Sequence, residues 1–409
     1  MHISRPVSIF LILLLCFAGF YFGSFSTGKE KITATLPEPE IHIPATTSEP
    51  ESPTLHAMYA CLMDGGSGRV LFQKDAGEKA AMASTTKIMT ALLVLESGRT
   101  EEIVTASERA CSMPKVHLGM QRGEQFRMSD LLYSLMLESH NDTAVAIAEH
   151  MAGSVESFAD KMNQKAKELG MNDSHFVTPN GLDADNHYST PEDMCRLAAY
   201  AVQNRDFLNL IQTKSYTFSN VRNSRTFSLY NRDAFLSYYD GALGIKTGFT
   251  NKAGYCFVGA AKRNDTVLTS CVLASGWPPN KSFKWTDTKS LMDYGFSYFS
   301  ATELPLQDLT LVRIPVEDGK KELVSCVQPA KDTTLLSRFD TITVRYELPG
   351  KLYAPVDKSV PVGTVTYYIN DTLYRKDSVF PSESIEKSDF SDTIEFVLDS
   401  WMELLTGCI

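Results

Sequence analysis

The sequence lacks several features that would indicate common classes of protein. It has no Cys-x-x-Cys pair, and its eight cysteines are spread over 409 residues, which argues against a structural zinc site and against a disulfide scaffold. It has no internal repeats and no basic cluster. Because its formal net charge is −10, we do not expect it to bind nucleic acid, which needs a positive surface. No motif predicts a cofactor or a metal.

Charge is also missing near the N-terminus, where an uncharged run from Val7 to Phe25 follows His2 and Arg5. Such a run is typical of a signal peptide or of an uncleaved membrane anchor, so residues 1–28 are predicted to be one or the other and the protein to be exported. Residues 29–54 are rich in Pro, Glu, Thr and Ser, which predicts a disordered linker.

The rest of the chain divides into three parts. Residues 55–303 alternate helical and strand-like segments, which indicates one α+β domain. Residues 304–382 hold short strand-like runs separated by turns, which predicts a small all-β domain. Residues 383–409 predict a linker and an amphipathic helix with an acidic polar face. Such a helix would lie on a membrane surface, or would dock on the β domain or on a partner protein.

Ser84 and Lys87 stand at the start of an apolar segment that predicts a buried helix over Thr85–Ser97. The same Ser-x-x-Lys spacing recurs at 26–29, 112–115 and 384–387, but only the copy at 84–87 opens a buried helix. Two interpretations follow. Either Ser84 caps the helix and Lys87 extends to solvent, or a desolvated, neutral Lys87 amine takes the proton of a nucleophilic Ser84 hydroxyl.

Ser139, His140 and Asn141 lie in the predicted turn between two apolar helices. A hydroxyl and an amide held in such a turn can relay a proton and orient an amide substrate. The alternative is an ordinary helix cap by Ser139 or Asn141.

Lys246, Thr247 and Gly248 belong to a stretch, Gly244–Thr250, that predicts an extended strand. Alternation puts Lys246 and Gly248 on one face, and the glycine leaves room for a substrate backbone. The charge of Lys246 and the hydroxyl of Thr247 suit a carboxylate. The alternative is an exposed lysine that protects the edge of a sheet.

In this order the three motifs resemble those of penicillin-binding proteins and serine β-lactamases. Over about residues 56–299 the chain is similar to the serine-type D-alanyl-D-alanine carboxypeptidases, the low-molecular-mass penicillin-binding proteins. The resemblance implies a β-lactamase/transpeptidase-like domain, with an antiparallel sheet flanked by helices and a helical subdomain. The small all-β domain and the C-terminal amphipathic helix would follow it. It also implies a place on the extracytoplasmic face of the bacterial cell membrane or in the cell wall.

The resemblance implies a role for each motif. Ser84 would be the nucleophile that attacks the D-Ala-D-Ala bond of a peptidoglycan pentapeptide, with Lys87 as general base and Ser139 as proton relay. Water would then hydrolyse the acyl-enzyme, and β-lactams would acylate the same serine. The backbone N–H groups of Ser84 and Phe249 would form the oxyanion hole. The implied substrate-binding residues are Asn141, Lys246, Thr247, Gly248 and Phe249.

The chain also departs from the family pattern. His140 stands where glycine is frequent, either as a solvated turn residue or as a group that tunes the pH response. Some relatives have an arginine after the last strand pair, where this chain has the segment 276–279, so we expect carboxylate binding to depend more on Lys246 and Thr247. Asp183 lies in a loop like one beside the family's site, where it would shape the rim or cap its own turn.

Two other functions stay open. A serine β-lactamase of the same fold would use the same motifs, although Phe176–Asp183 has no glutamate placed to activate a deacylating water. A non-catalytic, membrane-tethered β-lactam receptor or wall-binding protein would be acylated without turnover. For the leading function as well, the membrane surface is a predicted partner, through the N-terminal segment or the C-terminal helix.

Cys256 and Cys271 would face each other if their strands turned at Arg263-Asn264. A disulfide between them and two buried free thiols are both open, with the free thiols expected because directly paired cross-strand disulfides are uncommon.

Overall fold

The computed structural model describes residues 35–389 and the single positions 394, 398 and 402. The predicted segment 1–28 lies outside these residues, as does almost all of the predicted helix from 389 to 409. The chain divides into two compact units. The first contains residues 45–304 and 332–340; the second contains, of the described chain, residues 35–44, 305–331 and 341–389.

The α-helices with described bounds lie in the first unit, and a 3-10 turn at Leu309–Leu311 lies in the second. A 3-10 turn at Ala83–Thr86 precedes helix α1, and a π-helical turn at Ser134–Glu138 continues helix α3. The α-helices are α1 Lys87–Ser97, α2 Glu108–Cys111, α3 Met128–Tyr133, α4 Asn141–Ala152, α5 Val155–Glu168, α6 Pro191–Ala201, α7 Arg205–Gln212, α8 Phe235–Tyr238 and α9 Phe283–Tyr298.

The strands of both units are mostly antiparallel. In chain order they are β1 Glu40–Ile43, β2 Tyr59–Asp64, β3 Val70–Lys74, β4 Ile103–Thr105, β5 Gln125–Arg127, β6 Ser215–Ser219, β7 Thr226–Tyr230, β8 Ala242–Thr250, β9 Gly254–Arg263, β10 Thr266–Leu273, β11 Ser300–Glu303, β12 Arg313–Glu317, β13 Leu323–Ser325, β14 Thr333–Leu336, β15 Ile342–Glu347, β16 Leu352–Tyr353, β17 Gly363–Ile369 and β18 Thr372–Val379.

A five-stranded antiparallel sheet, in the order β3-β2-β10-β9-β8, forms the centre of the first unit. Alternate residues of its strands enter different hydrophobic clusters. On β2, Cys61 and Met63 pack with α1 and the helices around it, whereas Ala60 and Leu62 pack with α9. This alternation is what a sheet covered on both faces requires. Strand β8 lies at the edge, so it can accept a further extended chain.

Helix α1 is buried because it is apolar nearly all round. Ile88, Met89 and Leu92 are fully buried within the larger hydrophobic cluster. Gly98 ends the helix in the left-handed conformation at φ 69°, and its N–H bonds to Leu95 O, which confirms the predicted stop signal. The helix therefore begins at the residue after the 3-10 turn and holds Lys87 in the interior.

The second unit is built from strands, as predicted for the all-β domain. A four-stranded sheet has the order β1-β15-β17-β18, and a three-stranded sheet has the order β13-β12-β16. The prediction of a disordered linker is wrong for Glu40–Ile43, which pairs with Arg345 to Ile342 of β15. The Pro-, Glu-, Thr- and Ser-rich composition of this segment predicted disorder. A strand can still form there, because its hydrogen bonds to the edge of a sheet use backbone groups that are present in any composition.

Several elements of the first unit were not predicted. They are the hairpin of β6 and β7, the pair of β4 and β5, helix α7, and the pairing of β11 with β14, which brings residues 332–340 into this unit. These strands are short, and their hydrophobic patterns are too brief to be separated from loops. Among the described residues, no helix has both the length and the apolar character needed to span a membrane.

The predicted facing of Cys256 and Cys271 is wrong. Arg263 pairs with Thr266, so the turn lies one residue later and Cys271 pairs with Val258 of β9 and with Cys61 of β2. Both Cys256 and Cys271 are buried free thiols. A shift of one residue in the turn moves every cross-strand pair by two positions.

The Asp287 carboxylate joins helix α9 to the start of the sheet. It is fully buried and accepts hydrogen bonds from the backbone N–H groups of His56 at 3.0 Å and Ala57 at 2.8 Å, and from Ser275 Oγ at 2.7 Å. A buried carboxylate needs several hydrogen-bond donors to offset its loss of water, and Asp287 has these three. The entry into β2 therefore depends on one side chain.

We expect Asp287→Ala to lower the free energy of unfolding by about 3 kcal/mol, because the buried N–H of Ala57, the partly buried N–H of His56 and the buried Ser275 hydroxyl lose their acceptor. Urea unfolding followed by circular dichroism measures the change. Asp160→Ala, which removes an exposed carboxylate of α5, should stay within about 0.5 kcal/mol of the original protein. Equal midpoints for the two variants would contradict the structural role of Asp287.

Candidate active site

Three segments of the first unit meet at one place: the 3-10 turn before α1, the turn between the π-helical residues and α4, and the edge strand β8. Gly248 of β8 lies against the 3-10 turn. A Cβ atom on Gly248 would come within 3.0 Å of both Ser84 N and Met82 O. The absence of a side chain there lets the strand approach the turn this closely. The structure thus brings together three motifs whose successive separations in the sequence are about 50 and about 100 residues.

Lys87 is the most enclosed polar group of the site, with no exposed surface. Its Nζ lies 2.9 Å from Ser84 Oγ, 2.9 Å from Asn141 Oδ1 and 2.5 Å from Asn180 O. These three partners come from three different segments of the chain. The interpretation of Lys87 as a surface lysine is therefore wrong, because the first six residues of the helix, Lys87 included, are all buried.

Burial sets the protonation of Lys87. Removal from water lowers the pKa of this amine well below its usual value, and the nearby charge of Lys246 lowers the pKa further. The Asp142 carboxylate acts in the opposite direction and only partly offsets the other two effects. The Lys87 amine therefore loses its proton more readily than a lysine in water.

Asn141 and Ser139 occupy the turn before α4. Asn141 is 5% exposed, accepts from Lys87 and donates through Nδ2 to Pro114 O at 3.2 Å. Ser139 adopts the left-handed conformation at φ 68°, and its Oγ is buried without a hydrogen-bond partner within the described chain. Neither side chain caps α4, whose N-cap position is held by His140 without a side-chain bond. The capping interpretation is wrong for both residues.

His140 is not a solvated turn residue. It is 8% exposed, and its Nδ1 lies 2.8 Å from Ser134 Oγ. Burial lowers the pKa of His140 to about 4, so the ring is neutral over the physiological range. The solvated interpretation is wrong because the left-handed turn at Ser139 directs the next residue inward.

Strand β8 holds the remaining predicted residues. Lys246 is 3% exposed and donates to Thr247 O at 3.2 Å. Burial lowers the pKa of Lys246 to about 8, and the Asp233 carboxylate opposes this effect. Thr247 is half-buried, and Phe249 is 39% exposed with its ring 4.7 Å from that of Tyr255. Lys246 is thus buried, and the interpretation of it as an exposed lysine that protects the edge of the sheet is wrong.

The loop from Pro179 to Asp183 lies under the nucleophile. A Cβ atom on Gly181, at φ +81°, would come 1.9 Å from Ala83 O, so only glycine fits. Asp183 is exposed and accepts from Thr250 Oγ1 at 3.0 Å, which places it on the rim beside the end of β8. The sequence indicated this loop but not the role of Asn180, because its contact with Lys87 uses a backbone carbonyl that every residue possesses.

Two further polar residues that support the site were not predicted. His187 is buried; its Nδ1 accepts from Val177 N at 3.0 Å, so Nε2 carries the proton toward Thr86 Oγ1 at 3.0 Å. Asp142 is 1% exposed and accepts from three successive backbone N–H groups at 2.8–3.2 Å, those of Leu118, Gly119 and Met120. Single residues without a spacing pattern leave no signal in one sequence.

Within residues 35–389, no group of three or more His, Cys, Asp or Glu side chains is arranged to hold a metal ion. The groups gathered around Ser84 are amines, amides and hydroxyls. Such a set suits nucleophilic attack by a hydroxyl and transfer of its proton to an amine.

Comparison with known proteins agrees with this geometry. Residues 45–276 match the family model described as D-alanyl-D-alanine carboxypeptidase, peptidase S11, and residues 299–387 match that of the penicillin-binding protein 5 C-terminal domain. The chain is 29% identical to the D-alanyl-D-alanine carboxypeptidase DacF of Bacillus subtilis over 84% of this chain and 90% of that protein. It is 30% identical to DacC of Escherichia coli over 85% and 89%.

Solved structures give the same result. The crystal structure of penicillin binding protein 5 from Haemophilus influenzae superposes with a TM-score of 0.70 at 26% identity, covering 83% of this chain and all of that one. The Streptomyces K15 DD-transpeptidase superposes with a TM-score of 0.57 at 33% identity, covering 60% of this chain and 99% of that one. The predicted family, transpeptidase-like fold and all-β second domain are confirmed, and the chain belongs to the D-alanyl-D-alanine carboxypeptidases of peptidase family S11.

Proposed function

We propose that this protein is a serine DD-carboxypeptidase that removes the terminal D-Ala from peptidoglycan stem peptides through an acyl-enzyme on Ser84. The observation that carries the proposal is the set of three partners around Lys87 Nζ. A neutral amine has two N–H groups and one lone pair. With the amine neutral, Asn141 Oδ1 and Asn180 O would accept its two N–H groups. The lone pair would then be free to take the proton of Ser84 Oγ, which lies 2.9 Å from Nζ and 3.4 Å from Asn180 O.

The reaction follows from this arrangement. Ser84 Oγ attacks the carbonyl carbon of the D-Ala-D-Ala bond while its proton moves to Lys87 Nζ. The negative oxygen of the tetrahedral intermediate is held by the backbone N–H groups of Ser84 and Phe249. When the C–N bond breaks, the leaving amine of D-Ala takes the proton from Lys87 through Ser139 Oγ. Water then attacks the ester, which releases the shortened peptide and restores the serine.

Strand β8 is the proposed binding surface. Because it lies at the sheet edge, a stem peptide can add to it as an extended strand. Lys246 and Thr247 would bind the terminal carboxylate, with Asn141 holding the peptide amide and Gly248 leaving space for the substrate backbone. Where some relatives have an arginine after the last strand pair, this chain has the segment 276–279, in which Trp277 Nε1 donates to Asn251 O at 2.8 Å. Carboxylate binding is therefore assigned to Lys246 and Thr247.

The proposed location is outside the cytoplasm, at the membrane face or in the cell wall, where the substrate is found. Attachment through residues 1–28 or through the C-terminal helix belongs to this proposal. β-Lactams, which resemble the D-Ala-D-Ala end of the peptide, are proposed to acylate Ser84.

We expect Ser84→Ala to abolish both covalent labelling by fluorescent penicillin and release of D-alanine from a pentapeptide ending in D-Ala-D-Ala, because the variant lacks the hydroxyl that lies 2.9 Å from Lys87 Nζ. Gel fluorescence and a D-alanine assay measure the two activities. Ser112→Ala is the matched control: Ser112 belongs to a second Ser-x-x-Lys sequence, and its exposed Oγ donates to Arg109 O. Labelling without D-alanine release would indicate a receptor, and rapid penicillin hydrolysis would indicate a β-lactamase.

Replacing Lys87 separates the base from the nucleophile. We expect Lys87→Ala to lower the rate constant of acylation by about a thousandfold, within the range known for a lost general base, while the circular dichroism spectrum is unchanged. Lys161→Ala, at an exposed position of α5, should acylate at the original rate. A Lys87→Ala protein that is acylated within tenfold of the original rate would remove Lys87 from the mechanism.

The pH dependence of acylation should have two limits. Lys87 must be neutral, so the rate falls as pH decreases through its lowered pKa. Lys246 must be charged to bind a carboxylate, so the rate falls as pH rises through about 8. Stopped-flow measurement of acylation by a fluorescent β-lactam between pH 5 and pH 10 tests both limits. A rate that keeps rising above pH 9 would exclude the charged Lys246 from binding.

A further inference from the structure

Asp233 is a buried carboxyl group that the mechanism above does not use. It lies between β7 and α8 and is 8% exposed. Its Oδ1 accepts from Phe235 N at 2.9 Å. Its Oδ2 is buried and makes no hydrogen bond of normal geometry within the described chain, although the Ile245 N–H lies near enough to favour the charged form. A buried oxygen left in this state costs free energy and needs an explanation.

The unpartnered oxygen points at strand β8. Gly244 has φ +102°, and a Cβ atom there would lie 3.1 Å from Asp233 Oδ2. Residues two apart on a strand share a face, so Gly244 and Lys246 lie on the same side of β8. The glycine thus leaves open the space through which the carboxylate reaches the face that carries Lys246.

Two positive charges favour the ionised form of Asp233. They belong to Lys246 of β8 and Lys284 of α9. Lys284 is fixed elsewhere, since its Nζ donates to Lys281 O at 2.5 Å and lies 4.8 Å from the centre of the Tyr255 ring. Lys214 lines a cavity of about 350 Å³ that also borders Asp233. Of these three lysines, Lys246 is the one that belongs to the active site.

We propose that Asp233 is a positioning residue for the reaction: its carboxylate is the counter-ion that keeps the Lys246 ammonium charged and in place beneath the substrate carboxylate. The inference rests on the proposed function, because it acts through a lysine assigned there to substrate binding. The inference also explains why Asp233 Oδ2 is buried without a hydrogen-bond partner in the described chain: it acts through its charge.

The two site lysines are then kept in different protonation states. Asp233 raises the pKa of Lys246, and the resulting positive charge on Lys246 lowers the pKa of Lys87. One amine holds a proton and binds an anion, while the other is free to accept a proton. Pairs of titratable groups whose environments separate their pKa values are the usual means of dividing such roles.

The pH dependence of Asp233 variants tests the inference. Burial raises the pKa of Asp233 itself to about 7, so the original protein and Asp233→Asn should be acylated at rates within about twofold below pH 6.5. Above pH 7 they should diverge, because one lost charge moves the alkaline limit by about one pH unit. At pH 8.5 the variant should then be slower by about tenfold.

Acylation by fluorescent penicillin and D-alanine release are measured across this range on the full chain. Asp233→Ser is a second neutral variant whose hydroxyl can still accept from Phe235 N, and it should show the same shift. Asp130→Asn is the matched control, since Asp130 is equally buried but accepts from Tyr216 Oη at 2.7 Å; its alkaline limit should not move.

The outcomes are distinct. If the original protein is acylated but releases no D-alanine, the proposed function fails whatever the variants do. If it does both, and both Asp233 variants keep its alkaline limit or are slowed equally at every pH, the carboxylate has only a structural role and the inference is wrong. A tenfold loss confined to alkaline pH in both variants, with Asp130→Asn unchanged, supports it.

Discussion

The enclosure of the Lys87 amine is the constraint on which the rest of the site depends. A lysine without exposed surface must either lose its proton or be paired with an anion, and here its neighbours are a hydroxyl, an amide oxygen and a backbone carbonyl. Each neighbour comes from a separate segment, so the amine can be satisfied only when the first unit has folded. The same burial that costs stability lowers the pKa of the amine, and so favours the uncharged form that can accept a proton from a serine.

The backbone near the nucleophile is shaped to permit this enclosure. Ala83 has φ +49°, which is uncommon for a residue with a side chain. The Ala83 carbonyl accepts from Thr86 Oγ1 at 2.9 Å and lies against Gly181, where no side chain fits. Conformations of this kind cost free energy and persist only where the surroundings impose them. Glycine in the loop and a buried threonine on the helix together hold the serine in place.

The two lysines of the site have different charged neighbours. Lys87 is fully enclosed and lies near one positive charge and one negative charge, whereas Lys246 lies near the Asp233 carboxylate. Asp142 directly follows Asn141 in the sequence. Its carboxylate accepts hydrogen bonds from the backbone N–H groups of the segment Leu118–Met120. The result is a polar interior with little net charge, in which one cation faces the position proposed for the substrate carboxylate.

The order and spacing of three motifs in the sequence were enough to identify the family by resemblance, and the transpeptidase-like class of fold followed from that resemblance. The buried helix after Ser84 and the strand that carries Lys246 were predicted from local periodicity. Tertiary structure alone decided that His140 is buried, that Glu40–Ile43 forms a strand, and that Cys271 pairs with Val258. It also decided that Asn180 contributes a carbonyl and that Asp233 lies beneath β8. These facts depend on contacts between residues far apart in the chain or on backbone atoms common to all residues, and neither leaves a pattern in a single sequence.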